Sequence, residues 1–414
     1  MAGQPGPVAV LLSLAALTGE VGPQTRPRLY PTAHYLPPSG AGAEPDAIQH
    51  AAELLVGADR PIIVAGNGVR IAQGYAALQG LAERLGAPVV TTPSGKGVLA
   101  ETHPLALGVF GTYGLPVANA AVTEADVVLV IGSRLTASDT ARANPALLDP
   151  VRQTFLQVDI EPRNAAWTFP AECQLIGDAA TIMEQLLAAF PEMPARDGTG
   201  RAAAHRRARG WFDEAAYHAA EAPLMPQRII AGLHATLPED TMVTCDTGEN
   251  RIFMRRFLQV RRAGHFLQAA GAGPMGFAIP AALAAKLIHP ERPAVAVCGD
   301  GGFAMTMNGL MTALEHELPI IVVVSNNSAL GWSLHSGGPS PRSSKISTTP
   351  PSPRPWAAVA FGWSGRTSWS LPSARRWPLA CRPSWMCAPR SPPPTWTSHR
   401  HLRGDEEQCQ SGRR

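Results

Sequence analysis

Short apolar runs alternate with stretches of helical periodicity along most of the chain. The runs VAVCG at 295–299 and PIIVVVSNN at 319–327 have the length and apolar content of buried strands. Between them, FAMTMNGLMTALEHEL places apolar residues at a helical spacing, at Met307, Leu310, Met311, Leu314 and Leu318. Strand, helix and strand in this order predict a crossover unit whose two strands are parallel.

The same alternation fills an earlier part of the chain. The predicted strands there are PIIVA, PVVTT, DVVLVIG, TFLQVDI and CQLIG, and the predicted helices are AALQGLAERLG and DAATIMEQLLAAF. Because such alternation produces a parallel sheet covered on both faces, the predicted fold class is α/β, with two doubly wound parallel-sheet domains and an irregular C-terminal tail.

Changes in composition predict the boundaries between these units. Residues 1–22 contain one apolar, strand-like run, and residues 191–224 form a charged, Ala-rich, helical connector whose Arg cluster is predicted to be a solvated face. The predicted units are 1–22, a Pro- and Gly-rich linker at 23–48, a central domain at 49–190, the connector at 191–224, a second domain at 225–335 and the tail at 336–414.

Polar side chains end both strands of the crossover unit. Asp300 follows the first strand between two glycines, and Asn327 ends the second. An Asp-Gly pair alone is also typical of a hairpin turn. Because parallel strands finish at the same edge of a sheet, we expect Asp300 and Asn327 to meet there, where their oxygens suit Mg²⁺ bridged to phosphate oxygens. Gly301 and Gly302 would let backbone N–H groups approach those phosphates.

Two further glycine-containing segments are weaker motifs. Gly66-Asn67-Gly68 follows a predicted strand but has only part of the dinucleotide-binding fingerprint. SGKGV at 94–98 lacks the Gly and the Ser/Thr that a phosphate-binding loop requires. The first segment leaves open the alternative of a nucleotide-binding module of unrelated function.

Composition argues against several classes of partner. The net charge is +3, with 35 Lys plus Arg against 32 Asp plus Glu, and no basic stripe indicates a nucleic-acid partner. No apolar run is long enough to span a membrane. The six cysteines are scattered without a CxxC pair, and no Lys or Arg precedes the apolar run at 8–18, so the expected location is cytoplasmic.

The pair of motifs ending the two strands resembles the thiamin diphosphate-dependent enzymes of the acetolactate synthase and benzoylformate decarboxylase group. Gly299-Asp300-Gly301 and Asn326-Asn327 match the GDG and NN motifs of that family at its usual spacing. The resemblance implies that Asp300 and Asn327 are side-chain ligands of Mg²⁺ and that the carbonyl of Ala329 is the third protein ligand.

Two other segments extend the resemblance within the second domain. CDTGENRIFM resembles the loop that places Gly248, Glu249 and Asn250 near the diphosphate, although acetolactate synthases usually have Gln and His at the last two positions. A carboxylate facing a diphosphate would be repelled unless it turns away or pairs with Arg251. GAGPMGFAIPAALAAKL resembles the segment in which Gly273 and Met275 contact the cofactor, Met275 as an apolar wedge; the alternative is that Met275 is simply a core residue.

In the central domain, GNGV, TTPSGKGVL, VIGSR and VDIEPRN resemble acetolactate synthase-type enzymes. That domain binds FAD in some relatives and is structural in others, and the structural role is favoured here.

The resemblance also predicts what the chain lacks. In this family the catalytic glutamate belongs to a separate pyrimidine-binding domain, and residues 1–22 resemble only the last strand of that domain. The catalytic residue of this chain is therefore unknown. The implied activity is decarboxylation or carboligation of a small 2-keto acid, with a homo-oligomer or a separate pyrimidine-domain subunit as partner. The alternative is an inactive truncated fragment that binds the cofactor weakly.

The tail has an unusual composition. Six of the nine tryptophans follow residue 350, among many Pro, Ser and Arg residues. Disordered tails are generally poor in aromatic residues. A second hypothesis is a shifted reading frame, since the genetic code permits an Asp-Phe segment and an Ala-rich helix when each codon of 344–357 starts one base earlier.

Overall fold

The computed structural model describes residues 9–24, 26, 30–31, 40–192, 196–219, 224–332, 357–363 and 369–370. Within these ranges the chain forms two α/β units, each built on its own sheet. The predicted pair of parallel-sheet domains is confirmed.

The first unit has a six-stranded sheet in which every neighbouring pair is parallel. Its strands are β1 Ile62–Ala65, β2 Val89–Thr91, β3 Ala106–Val109, β4 Val127–Ile131, β5 Thr154–Asp159 and β6 Cys173–Ile176, in the spatial order β3-β2-β1-β4-β5-β6. Nearly every strand residue is buried, because helices cover both faces.

The helices of the first half of the chain are α1 Leu14–Thr18, α2 Pro45–Gly57, α3 Asn67–Ile71, α4 Tyr75–Leu85, α5 Pro116–Glu124, α6 Ala179–Ala189 and α7 Gly198–Arg209. One core face of the sheet packs against α2, α4 and α6, and the other against α5 and α7. Local sequence explains the ends of these helices. Asp178 caps the first turn of α6 through Ala180 and Thr181, and α4 stops at Gly86, whose φ of 57° is left-handed.

The second unit continues with α8 Pro226–Thr236, β7 Met242–Cys245, α9 Glu249–Phe257, β8 Phe266–Gln268, α10 Ala278–Ile288, β9 Ala294–Gly299, α11 Asp300–Thr306, α12 Gly309–Glu315, β10 Ile321–Asn326, β11 Ala357–Trp363 and β12 Trp369–Ser370. The spatial order is β12-β11-β10-β9-β7-β8, with β8, β7, β9 and β10 parallel. The carboxyl ends of β7, β9 and β10 therefore share one edge.

Strands β11 and β12 add antiparallel pairs to β10. They lie in the segment that the sequence analysis assigns to the irregular tail, so that prediction is corrected at 357–363 and 369–370. The remainder of the predicted tail lies outside the described residues.

Two other local predictions are corrected here. The strand-like run near the N-terminus contains the exposed helix α1, which Ser13 caps. The helix predicted over 303–318 is two helices, α11 and α12, and its Met307 and Met311 are 54% and 67% exposed. Met307 and Asn308 interrupt it. A Cβ on Gly309, the first residue of α12, would lie 3.0 Å from Cγ2 of Ile279, so glycine here lets α12 approach α10 closely.

The connector is helical only from Gly198 to Arg209, followed by a 3₁₀ turn at Ala215–Tyr217. Its Arg cluster is only partly a solvated face. Arg201 donates to the Pro61 carbonyl, and Arg206 donates to the carbonyl of His103 and lies against Trp211. The guanidinium groups thus anchor the connector to the central domain, while Arg207 and Arg209 are exposed.

A buried ion pair in the first unit lies where the two units meet. Lys96 Nζ lies 2.7 Å from Glu101 Oε1, and both side chains are almost fully buried. Glu101 also accepts from the Val260 N–H at 2.7 Å, and the Glu101 N–H donates to the Val260 carbonyl. Lys96, the lysine of the segment SGKGV, is therefore paired with Glu101. This role agrees with the prediction that SGKGV is not a phosphate-binding loop.

Within the described part of the chain, no helix has both the length and the hydropathy needed to cross a lipid bilayer.

Candidate functional site

All residues that the sequence predicts for the cofactor and the metal surround one cavity of about 280 Å³ at the carboxyl edge of the second sheet. They are Gly248, Glu249, Asn250, Gly273, Met275, Gly299, Asp300, Gly301, Gly302, Asn327 and Ala329. The cavity has contributions from the strand ends of β7, β9 and β10 and from the loop before α10. Residues up to 81 positions apart in sequence are thus brought together by the parallel topology.

The two predicted metal ligands come from neighbouring strands. Ser325 of β10 lies opposite Gly299 of β9 in the parallel register, and Asp300 and Asn327 follow within two residues of these positions. Both side chains are half-buried. The Ala329 N–H donates to Asn327 Oδ1 at 3.1 Å, which folds the chain so that Ala329 also lines the cavity.

The donor set fits a hard divalent cation. It consists of one carboxylate, one amide oxygen and one backbone carbonyl, from Asp300, Asn327 and Ala329. Mg²⁺ prefers such oxygen ligands and completes its octahedron with phosphate oxygens and water. No cluster of three or more His, Cys, Asp or Glu side chains forms an all-protein metal cage among the described residues. These three protein oxygens agree with a site in which a diphosphate and water supply the remaining ligands of the cation.

The glycines of the GDG segment make the cradle that a cofactor needs. A Cβ on Gly301 would lie 2.7 Å from Cε of Met275, and a Cβ on Gly302 would collide with the carboxylate of Asp246. Gly248, at φ 130° and ψ −168°, adopts a conformation that is essentially limited to glycine. The close packing around Gly301 and Gly302 therefore favours glycine, and all three glycines line the cavity.

Glu249 lies at the start of α9. The sequence analysis expected its carboxylate to turn away from the diphosphate or to pair with Arg251, but it contacts a predicted metal ligand instead. Its Oε2 accepts from Asn327 Nδ2 at 3.1 Å. Arg251 instead donates to the Ala269 carbonyl at 2.7 Å. The carboxylate thus points toward the predicted metal ligands, and the helix N-terminus favours its negative charge.

Asn250 lines the cavity but is mostly turned inward, with an exposed fraction of 5%. Its Nδ2 donates to the Asp246 carbonyl at 3.3 Å. The amide hydrogens of this residue are consequently occupied within the protein.

Asp246 is a functional candidate that the sequence analysis missed. Its fully buried carboxylate accepts from the N–H groups of Thr247, Gly276 and Phe277. It therefore ties the end of β7 to the loop that carries Met275. Burial raises the pKa of the Asp246 carboxyl, while the backbone N–H groups oppose that shift. An acidic residue directly after a buried strand, the same pattern as at Asp300, was the available signal.

Other lining residues also lay outside the prediction. They are Thr247, Ser325, Leu330, Gly331 and Trp332. Leu330 and Trp332 are 60% and 52% exposed at the cavity, and Trp332 meets Tyr113 of the central domain edge to face, with ring centroids 6.2 Å apart.

In the central domain, the backbone N–H groups of the incomplete glycine fingerprint donate to carbonyls of the protein itself. The Gly66 N–H donates to the Ile131 carbonyl at 2.8 Å, and the Gly68 N–H donates to the Gly132 carbonyl at 3.0 Å. A Cβ on Gly68 would lie 2.5 Å from Cα of Gly132. These N–H groups are thus used inside the domain.

Comparison with known protein families agrees with this geometry. The family domain described as "Thiamine pyrophosphate enzyme, central domain" matches residues 48–186, and "Thiamine pyrophosphate enzyme, C-terminal TPP binding domain" matches residues 246–367. The two matches together cover more than half of the chain.

The chain belongs to the thiamine pyrophosphate enzyme family. Its curated relatives include a probable acetolactate synthase large subunit of Methanocaldococcus jannaschii, 33% identical over 80% of this chain and 56% of the relative. The acetolactate synthase isozyme 3 large subunit of Escherichia coli is 32% identical over 69% of this chain and 50% of the relative. A probable 2-ketoarginine decarboxylase of Pseudomonas aeruginosa is 36% identical over 69% of this chain and 49% of the relative.

The chain therefore carries the central and the C-terminal TPP-binding domains of this family, and its relatives include acetolactate synthases. It spans about half the length of the curated relatives it matches.

Proposed function

We propose that the chain binds thiamin diphosphate through Mg²⁺ in the cavity of the second sheet. We further propose that it acts in cleavage or formation of a carbon–carbon bond next to the carbonyl of a 2-keto acid. The observation that carries the proposal is the convergence of all eleven predicted residues on one cavity, with Asp300 and Asn327 at neighbouring strand ends. The names of the relatives, acetolactate synthase and 2-ketoarginine decarboxylase, support the substrate class.

In this proposal the protein supplies the cation site and the cofactor's shape. Asp300, Asn327 and the Ala329 carbonyl hold Mg²⁺, which screens the negative charge of the diphosphate. Bound thiamin diphosphate supplies the nucleophile and the electron sink for chemistry next to a carbonyl. Met275 lies between Gly273 and Gly276 and offers an apolar side chain against the cofactor, close to Gly301.

The Asp300→Asn substitution tests the cation site. It removes one negative charge and keeps the size of the side chain, so we expect thiamin diphosphate to bind at least tenfold more weakly in Mg²⁺. Calorimetric titration of both proteins measures this, with the exposed Asp59→Asn as the matched control. Equal affinity of Asp300→Asn and the unsubstituted chain would contradict the proposal.

For the central domain we propose a structural role without FAD. The use of the Gly66 and Gly68 N–H groups within the protein supports it, because a dinucleotide would need backbone donors at this turn. Absence of bound flavin absorbance after incubation with FAD is the expected result.

We propose that a further domain or subunit packs over the cavity of the second sheet and contributes the catalytic glutamate, which belongs to a pyrimidine-binding domain in this family. The exposed apolar side chains of Leu330 and Trp332, which line the cavity, support such a neighbour.

A further inference from the structure

Asn327 is held by two hydrogen bonds of opposite polarity. Its Nδ2 donates to Glu249 Oε2 at 3.1 Å, and its Oδ1 accepts from the Ala329 N–H at 3.1 Å. A carboxylate can only accept, and a backbone N–H can only donate. The amide therefore fits in one orientation, because a flip would place oxygen against oxygen and donor against donor.

That orientation matters for a cation ligand. Only the oxygen of an amide coordinates Mg²⁺, and the oxygen and nitrogen of Asn are nearly equal in size, so sterics alone do not fix which one faces the metal. The oxygen still has a second lone pair after accepting from Ala329. Holding the amide nitrogen of Asn327 away from the cation keeps that lone pair of the oxygen available to coordinate it.

The neighbouring backbone leaves space for this contact. A Cβ on Gly331 would collide with Glu249 Oε2 and would lie 2.8 Å from Asn327 Nδ2. Glycine at 331 thus permits the approach of the two side chains. Glu249 itself lies in the first turn of α9, where the helix N-terminus stabilises an acidic side chain.

We propose that Glu249 is a positioning residue for Asn327. Its carboxylate holds the amide nitrogen so that the amide oxygen is directed to the divalent cation. This inference rests on the proposed function, since it requires Asn327 to be a cation ligand. It also gives a role to the carboxylate at a position where Gln is usual in acetolactate synthases, despite its closeness to the diphosphate.

Two substitutions at Glu249 separate positioning from charge. Glu249→Gln removes the negative charge but keeps an acceptor oxygen at the same reach. Glu249→Asp keeps the charge but withdraws the acceptor by one methylene group. If positioning matters, the Glu249→Gln variant binds the cation more tightly than the Glu249→Asp variant. If only charge matters, the Glu249→Asp variant binds it more tightly.

The readout is the affinity for Mn²⁺ at a fixed concentration of thiamin diphosphate, followed by the electron paramagnetic resonance of free Mn²⁺. We expect Glu249→Asp and Gly331→Ala to weaken binding by about tenfold or more, and Glu249→Gln to stay within about threefold of the unsubstituted chain. Circular dichroism and thermal unfolding show whether each variant is folded.

Asp300→Asn serves as the reference for the proposed function. If it loses Mn²⁺ binding while Glu249→Asp binds as tightly as or more tightly than Glu249→Gln, the inference about Glu249 is overturned and the cation site stands. If Asp300→Asn binds Mn²⁺ as tightly as the unsubstituted chain, or if that chain binds none, the cation site fails and the inference fails with it.

Discussion

Asp246 and Gly302 occupy the same corner of the cavity. The carboxylate accepts backbone N–H groups from the loop that carries Met275, and the glycine lies directly against it. A side chain at 302 would either push the carboxylate off these donors or move the first turn of α11. Asp300 lies in the same first turn of α11, so its position depends on this contact.

Gly302→Ala is expected to destabilise the chain by about 1–3 kcal/mol, because the added methyl group overpacks a buried corner. Weaker binding of thiamin diphosphate should accompany the loss. Gly271→Ala is the matched control, since a Cβ on Gly271 meets nothing within 4 Å. Urea unfolding of the two variants measures the difference, and equal stability of both would contradict the assigned contact.

The sequence predicted where the proposed ligands Asp300 and Asn327 lie, but it did not predict the residues that contact and support them. Asp300 and Asn327 end strands that periodicity identifies, and parallel pairing then brings them together. The contact of Glu249 with Asn327 depends on the angle at which α9 leaves β7, which no local pattern specifies. Asp246 was missed for a related reason, because its partners, Gly276 and Phe277, come from a loop 30 residues later.

His234 provides a pH-dependent contribution at the residue scale. Its Nε2 accepts from the Gln259 N–H at 2.8 Å, so the ring is neutral in the folded state. Burial, together with the charges of Arg261 and Lys96, lowers the pKa of His234 to about 4. Since the unfolded chain binds the proton more readily, the contribution is fully present above pH 6.5 and is lost as pH falls toward 4.

We expect the free energy of unfolding to fall by at most about 3 kcal/mol across this pH range through His234. His234→Gln keeps an acceptor for Gln259 and does not titrate, so its loss over the same range should be smaller. Denaturant unfolding at several pH values gives both curves. Identical pH dependence of the two proteins would contradict the assignment.

At the scale of elements, the loop 93–101 after β2 holds the two sheets together. Lys96 and Glu101 are paired within this loop, and Glu101 also bonds to the backbone of Val260. Burial lowers the pKa of Lys96 and raises that of Glu101, and their mutual attraction opposes both shifts. A buried pair of this kind is costly to break because one charge is left without its partner.

Glu101→Gln is expected to destabilise the chain by about 3–5 kcal/mol, since Lys96 would remain buried without a counter-charge. The pair of Glu291 and Arg292 supplies the control, because the Glu291 side chain is 63% exposed and Glu291→Gln should cost at most about 1 kcal/mol. Thermal unfolding distinguishes the two variants. A Glu101→Gln protein as stable as Glu291→Gln would show that the buried pair does not hold the domains.

Strong periodicity predicted most elements, and failures occurred where tertiary contacts interrupt a pattern. The helix over 303–318 has a continuous apolar spacing, yet it breaks at Met307 and Asn308, just before Gly309 brings α12 close to α10. Strand β3, Ala106–Val109, is short and contains Gly108, so its sequence has little strand character. Neighbouring β2 supplies its pairing partner instead.

At the scale of the whole molecule, the chain combines the central and C-terminal domains of its family and spans about half the length of its curated relatives. Its cofactor cavity is bordered by exposed apolar residues such as Leu330 and Trp332. This arrangement agrees with a cofactor site that a further domain completes. Binding can therefore be tested separately from turnover.

The most direct test is a calorimetric titration of the chain with thiamin diphosphate, with Mg²⁺ and then with the metal removed by a chelator, followed by the same titration with NAD. The account predicts saturable binding of thiamin diphosphate that requires the metal, and no binding of NAD. Tight binding of NAD together with no binding of thiamin diphosphate in Mg²⁺ would contradict it and would favour an unrelated nucleotide-binding function.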